Sequence, residues 1–377
     1  MEFKSLPKPV MITRADALNQ MVNQLASEAI LAVDTESNSL YAYQERVCLI
    51  QFSTPQDDFL VDPLALDDLT PLEALFADDK IEKIFHAAEY DLISMKRDFQ
   101  FRFENLFDTM IAARILGWEQ IGLGSILKAE FDVELNKRYQ RANWGKRPIP
   151  AEMMAYARLD THYLIPLRYR LKSELMSQNR WPLAEEDFAR LRYVNGRDPQ
   201  DLPEPCWRVR GSYDLAPQQA AVLLELCRYR SQVAKSINRP VFKVISDQTL
   251  IAIAEVCPRS KGALEKLPEL NVKQYQRHGP DLLRAVETGL KAEPVYPPRS
   301  PRPDELYLAR VEELRNWRKR TAKQAQVKSD VILPRDVLYE IAARDPNGQD
   351  ELAEVMEQLP WRLEQYGDQI LATLSDL

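Results

Sequence analysis

The chain has 377 residues, 45% apolar and 28% charged, a globular composition that excludes wholesale disorder. Fifty basic against 57 acidic residues give a net charge of −7, which taken whole argues against a polyanionic partner. Residues 1–100 carry 8 basic and 18 acidic side chains, whereas residues 101–350 carry 41 basic and 33 acidic, so the acid excess belongs to the N-terminal end. The 11 glycines lean the chain toward helix. Cys48, Cys206, Cys227 and Cys257 form no close pair, so neither a zinc site nor a disulfide framework is indicated, and a reducing cytoplasm fits best. Without an apolar run of ~18 residues or a leader-like start, a soluble protein with no membrane association is expected.

In chain order, Ile30–Asp34, Val47–Ser53, Phe59–Asp62 and Lys83–His86 read as strands, the second and third joined by the turn-like Pro55–Asp58. Helical patterns follow at 89–98, 107–116, 122–131 and 150–178. The first part is therefore α/β, its sheet opening with an antiparallel meander and continuing through crossovers. Proline clusters at Pro199, Pro203 and Pro205 and from Pro294 to Pro303 read as semi-rigid spacers. Beyond each, the chain looks wholly helical, at 216–238, 247–256, 261–267 and 279–290, then at 304–325, 334–343, 350–358 and 361–376. Each segment opens on an arginine-bearing long helix followed by a turn (Arg239-Pro240; Lys328-Ser-Asp330), the pattern of a tandem duplication. The domains expected are 1–198, 206–291 and 302–377.

Asp34-Thr-Glu36 ends an apolar strand, and positions i and i+2 of a strand project from one face. Two carboxylates at the end of a buried strand call for a compensating cation. Tyr156 and Asp160, at i and i+4, stack on one helix face, so one can bind a metal while the other contacts what the metal holds. Asp91 falls in the first turn of a helix, where an acid ordinarily serves the helix dipole, and Asp108 has the setting of an N-cap. Taken singly, each has such an ordinary explanation. Together, strand Asp-x-Glu, a Tyr-Asp and a helical Tyr-x-x-x-Asp make a pattern.

That pattern resembles the DEDD exonucleases, in the subclass with a tyrosine, and most closely the ribonuclease D-like members. The likeness extends to Val47-Cys-Leu-Ile-Gln51, Lys83-Ile-Phe-His-Ala-Ala88, Phe107-Asp-Thr-Met-Ile-Ala-Ala113, Asn143-Trp-Gly-Lys-Arg-Pro148 and Tyr156-Ala-Arg-Leu-Asp-Thr-His-Tyr-Leu164. His86 stands where many members carry Asn, a departure that ribonuclease D-like sequences share. The two helical segments resemble HRDC domains, the second divergent. The resemblance implies an RNase H-like mixed-sheet exonuclease domain followed by two all-α HRDC-like modules. It implies a 3′→5′ exoribonuclease that releases 5′-mononucleotides from RNA with a free 3′ end, tRNA precursors being the usual substrate, without an obligate protein partner. It further implies two divalent ions, Mg²⁺ or Mn²⁺, held by Asp34, Glu36, Asp91 and Asp160, with Tyr156 orienting the attacking water. Hard oxygen ligands suit those ions.

Substrate contacts are expected from Lys137, Arg138, Arg141, Lys146 and Arg147, with Trp144 stacking on a base; the other reading is a solvated basic loop with Trp144 packed on the domain. Arg228, Arg230, Lys235 and Arg239, and Arg315, Arg318, Lys319, Arg320 and Lys323, are either solvated helix faces or nucleic-acid contacts. Two alternatives stay open: a DNA exonuclease, since the acids do not distinguish ribose from deoxyribose, and a catalytically silent RNA-binding scaffold.

Overall fold

A computed structural model of the chain describes residues 6–196, 205–298 and 303–375. Pro199, Pro203 and Pro301 of the expected spacers, and the expected domain limits at 1, 198, 302 and 377, lie outside those residues. Two compact units emerge: Met1–Ser37 with Val47–Gly196 and Arg302–Leu377, and Asn38–Arg46 with Arg197–Pro301.

The first unit is built on β1 (Val10–Ile12), α1 (Ala15–Leu25), β2 (Ile30–Ser37), β3 (Val47–Ser53), β4 (Asp58–Val61), α2 (Thr70–Ala77), β5 (Glu82–Phe85), α3 (Glu89–Phe99) and β6 (Leu106–Asp108). Then come α4 (Thr109–Ile115), α5 (Leu123–Phe131), α6 (Ala151–His162), α7 (Leu164–Ser177) and α8 (Trp181–Leu191). The six strands run in the order β1-β4-β3-β2-β5-β6. As expected, β2, β3 and β4 form an antiparallel meander, and β5 and β6 add in parallel by crossovers. The sequence reading lacked β1, which pairs parallel with β4, and took residues 107–108 of β6 as the start of a helix. The expected helix 150–178 is two helices, broken at Tyr163; Pro166 has no N–H to return to the preceding turn.

Strand alternation sorts the core. Leu31 and Val33 face the cluster that holds Leu18, Phe76, Leu92 and Met95. Ile30 and Ala32 face the opposite layer, with Phe107, Leu171 and Phe188. Asp34 and Glu36 continue that second face. On β3, Leu49 packs with Trp144 and Tyr156, and Ser53 Oγ lies 2.7 Å from Thr161 Oγ1 of α6. The helix bearing Tyr156 and Asp160 is thus laid across the face to which Asp34 and Glu36 belong.

The second unit holds α9 (Pro217–Ser236), α10 (Asp247–Val256), α11 (Lys261–Glu265) and α12 (Val272–Lys291) around Leu223, Leu226, Ile253, Leu282 and Val286. α12 begins well before the expected 279, capped by Asn271 and running through Pro280. It approaches α9 so closely that a Cβ on Gly289 would lie 2.4 Å from Val222 Cα. Tyr43 of the 38–46 segment sits in this unit, its hydroxyl 2.7 Å from Ser231 Oγ.

Returning to the first unit, α13 (Glu305–Ala325), α14 (Ser329–Ile332), α15 (Arg335–Arg344), α16 (Gln349–Val355) and α17 (Pro360–Ser375) enclose Leu314, Trp317, Ile341, Leu352 and Ile370. The two helical segments share an internal clasp. Arg230 of α9 donates to Ile245 O, and Arg318 of α13 donates to Leu333 O, each across 15 residues. These two arginines are fastened inside their own modules, which removes them from the candidate nucleic-acid contacts.

At the third position of the last helix the modules part. Gln274 accepts from the backbone N–H of Asn271 and closes a capping box. Arg362 is fully buried against α8, donating to Glu186 at 2.8 Å, Asp187 at 2.9 Å and Val331 O at 3.0 Å. No helix among the described residues is long and apolar enough to cross a membrane.

Candidate active site

Of β2, only Ile30–Ala32 pair with β5, so β2 runs on past its parallel neighbour and carries Asp34 and Glu36 to the floor of an open cleft. Beyond β5 the chain turns through Ala87, whose φ is 62°, and enters α3. Asp108 holds that turn: buried and extended at the N-cap of α4, it accepts from the backbone N–H groups of Ala87, Ala88, Met110 and Ile111 at 2.7–3.1 Å. Its ordinary capping role therefore holds, and it fixes where α3 starts. Asp91, in the first turn of α3 and 7% exposed, accepts from Thr35 Oγ1, the residue between Asp34 and Glu36.

α6 closes the other side. Tyr156 and Asp160 lie one turn apart on its buried face, at 5% and 7% exposure, and the nearby phenol offsets part of the burial that raises the Asp160 pKa. Tyr139 and Trp144 pack around the Tyr156 ring at 5.7 and 6.3 Å between centroids. The cleft, of about 1010 Å³, is lined by Asp34, Glu36, Tyr156 and Asp160, and by a wall from Gly122 to Ala129 and from Glu134 to Gln140. Sequence reasoning gave that wall no role beyond Lys137; a rim is assembled from loop positions that carry no periodic signal. His86 also lines the cleft, its Nδ1 2.9 Å from Thr109 Oγ1, and burial depresses its pKa, which leaves a neutral imidazole.

The electrostatics are those of acids in one another's field. Burial, then Asp91, Asp160 and Glu36, push the Asp34 carboxyl well above the usual range. Burial, then Asp160 and Asp91, do the same to Glu36. Asp160 is raised by burial and by Asp91. Asp91 is pushed up to about 7, burial outweighing the hydrogen bond from Thr35. The Tyr156 phenol, raised by burial and then by Asp160, Glu36 and Asp34, stays protonated. Such a set is costly unless cations enter it. Its donors are all hard oxygens, matching Mg²⁺ or Mn²⁺. Among the described residues the side chains do not already stand as a metal-holding cluster, and Asp91 is turned to the Thr35 hydroxyl.

The expected substrate-contacting residues separate. Trp144 is 1% exposed, which corrects the stacking on a base and bears out the other reading, a ring packed on the domain. Arg147 donates to both oxygens of Asp62 at 2.6 Å and to Cys48 O at 2.7 Å, so its guanidinium is committed to holding the 143–148 segment on the sheet. Lys137, Arg138 and Arg141 are exposed on a 3₁₀ turn beside the cleft, and Lys137 lines it.

A family model described as 3'-5' exonuclease matches residues 9–176, and the HRDC domain model matches 219–286 and again 308–374. The chain is 28% identical to Ribonuclease D of Pseudomonas paraeruginosa over 382 residues, spanning 99% of each. It is 30% identical to the crystallised catalytic core of RRP6 from Trypanosoma brucei, with a TM-score of 0.67 over 77% of this chain and 81% of that one. Escherichia coli RNase D has the same fold, with a TM-score of 0.71 over 98% of this chain and 99% of that one at 24% identity. With the exonuclease model matched on the α/β part and both helical modules matched beyond it, the chain belongs to the ribonuclease D family of 3'-5' exonucleases carrying HRDC domains.

Proposed function

We propose that the chain hydrolyses phosphodiester bonds one nucleotide at a time from RNA 3′ ends, with tRNA precursors as the substrate. The observation that supports the site assignment is the convergence of four mutually repelling carboxylates, Asp91 and Asp160 buried and Asp34 and Glu36 half-buried, three of them lining one open cleft with a protonated tyrosine. Asp34, Glu36, Asp91 and Asp160 would hold two divalent ions, which supply Lewis acidity to the attacking water and counter-charge to the phosphate. Tyr156, which stays protonated and so is not available as the base, orients that water by hydrogen bonding while its ring is fixed by Tyr139 and Trp144. Thr35 sets the Asp91 carboxylate. Lys137, Arg138 and Arg141 sit where incoming phosphates pass, and their contacts position the strand without reading sequence. Its working compartment, in this reading, is the cytoplasm, where Cys48, Cys206, Cys227 and Cys257 stay reduced.

The test is incubation with a 3′-extended tRNA and a matched single-stranded DNA, in Mn²⁺, Mg²⁺ or EDTA. Release of 5′-mononucleotides from the RNA, arrested by EDTA, is the expected result. Preference for the DNA would overturn the substrate, and undiminished cleavage in EDTA would overturn the metal assignment.

A further inference from the structure

Gln51 is fully buried in β3, and neither its amide nitrogen nor its amide oxygen has a hydrogen-bond partner. An unsatisfied polar atom in the interior costs about 1–3 kcal/mol, so a carboxamide with both atoms orphaned is a poor choice for packing alone. Its position is informative. Gln51 pairs directly with Asp34 across the β2–β3 ladder and with Leu60 on the other side. Side chains that oppose each other across an antiparallel pair share a face, with Cβ atoms about 4.5–5.5 Å apart. Its same-face neighbours along β3 are Leu49, packed with Tyr156 and Trp144, and Ser53, bonded to Thr161. The carboxamide is thus bracketed beneath α6, between the turn carrying Tyr156 and the turn carrying Asp160 and Thr161, and beside Asp34.

We infer that Gln51 is a positioning residue for the cleft carboxylates, its amide N–H groups fixing Asp34 and Asp160 when these draw together around cations. The inference rests on the metal-binding role proposed above for those two acids. A carboxamide suits the task better than lysine or arginine. It donates hydrogen bonds to a carboxylate oxygen without adding a positive charge that would compete with the ions. Outer hydrogen bonds of this kind orient metal-binding carboxylates, and their loss typically costs about 10–100-fold in metal affinity or activity.

Gln51→Met keeps the length and shape of the side chain and removes both polar atoms. Without divalent metal it should melt at or above the parent temperature, since two orphaned groups are gone. Calorimetric Mn²⁺ affinity should fall about 10–100-fold, the Mn²⁺-induced rise in melting temperature should shrink, and kcat on RNA should drop with KM unchanged. Gln51→Leu is the second variant should the methionine fail to fold. If either folded variant binds Mn²⁺ and turns over within twofold of the parent, Gln51 is a tolerated packing defect and the inference is wrong. Asp34→Ala measured alongside separates the two levels. Loss of Mn²⁺ binding there, with Gln51→Met unaffected, refutes only the role of Gln51. Retention of binding and turnover in Asp34→Ala refutes the site assignment itself.

Discussion

Two groups of acids, each part buried and part half-buried, sit in the same compact unit and are treated in opposite ways. Glu186 and Asp187 face Arg362, which is fully buried and donates to both, while Glu186 also accepts from the backbone N–H groups of Trp361 and Arg362. Asp34, Glu36, Asp91 and Asp160 face chiefly one another. Burial is paired with counter-charge in the first group and left to be met by a ligand in the second. Even so, burial raises the Glu186 pKa despite Arg362, so the ion pair specifies where α17 lies on α8 more than it stabilises the join. The difference teaches that a buried acid marks function when the fold withholds its partner.

The comparison breaks most visibly at Asp34. Asp34→Asn should lower Mn²⁺-dependent turnover about a thousandfold or more while leaving the metal-free protein at least as stable, because a repelling charge is gone. Turnover assays paired with thermal melts in EDTA check both halves. Arg362→Ala should do the reverse. Stranding the buried Glu186 beside the half-buried Asp187 costs about 3–5 kcal/mol, read as a loss of unfolding free energy in urea, while kcat at low temperature stays near the parent value. If Arg362→Ala costs turnover instead, the two groups are not separable.

A pH series sharpens the contrast. Asp91 titrates at about 7 in the folded chain, above the ~3.9 of an unfolded aspartate. Its protonated form therefore favours folding fully below pH ~4, and that contribution is lost as pH rises through about 7. In EDTA the melting temperature should fall across that window, Mn²⁺ should reverse the trend at neutral pH, and Asp91→Asn should flatten the slope. The smallest effect belongs to the rim. Arg138→Ala should weaken RNA binding only severalfold and lessen the salt slope of log K by about one, measured by fluorescence anisotropy over a range of salt.

Much of this was legible in the residues. Asp34 and Glu36 follow from alternation at the end of an apolar strand, and Tyr156 and Asp160 from helical spacing. Their meeting is a tertiary fact, read beforehand only through likeness to a family. What stayed hidden depends on distant partners or on short segments. β1 and β6 each have three residues, too few to display alternation. Arg147 looks available until Asp62, 85 residues away, is brought against it. Trp144 could be read either as stacking on a base or as packed on the domain, and only the folded chain, with its ring beside Tyr156, decides for the second. Gln51 reads as one more strand residue, because orphaned polar atoms become visible only once their surroundings are built. The break at Tyr163 could have been anticipated from Pro166.

The two helical modules share the clasp of Arg230 on Ile245 O and of Arg318 on Leu333 O, but not the third residue of the last helix. Gln274 spends its side chain on its own cap, whereas Arg362 reaches outward to Glu186 and Asp187. The two copies are therefore not exchangeable parts. With the first module grafted in place of the second, α8 would be left holding a buried and a half-buried acid and no cation, so one arginine decides which copy can occupy that berth.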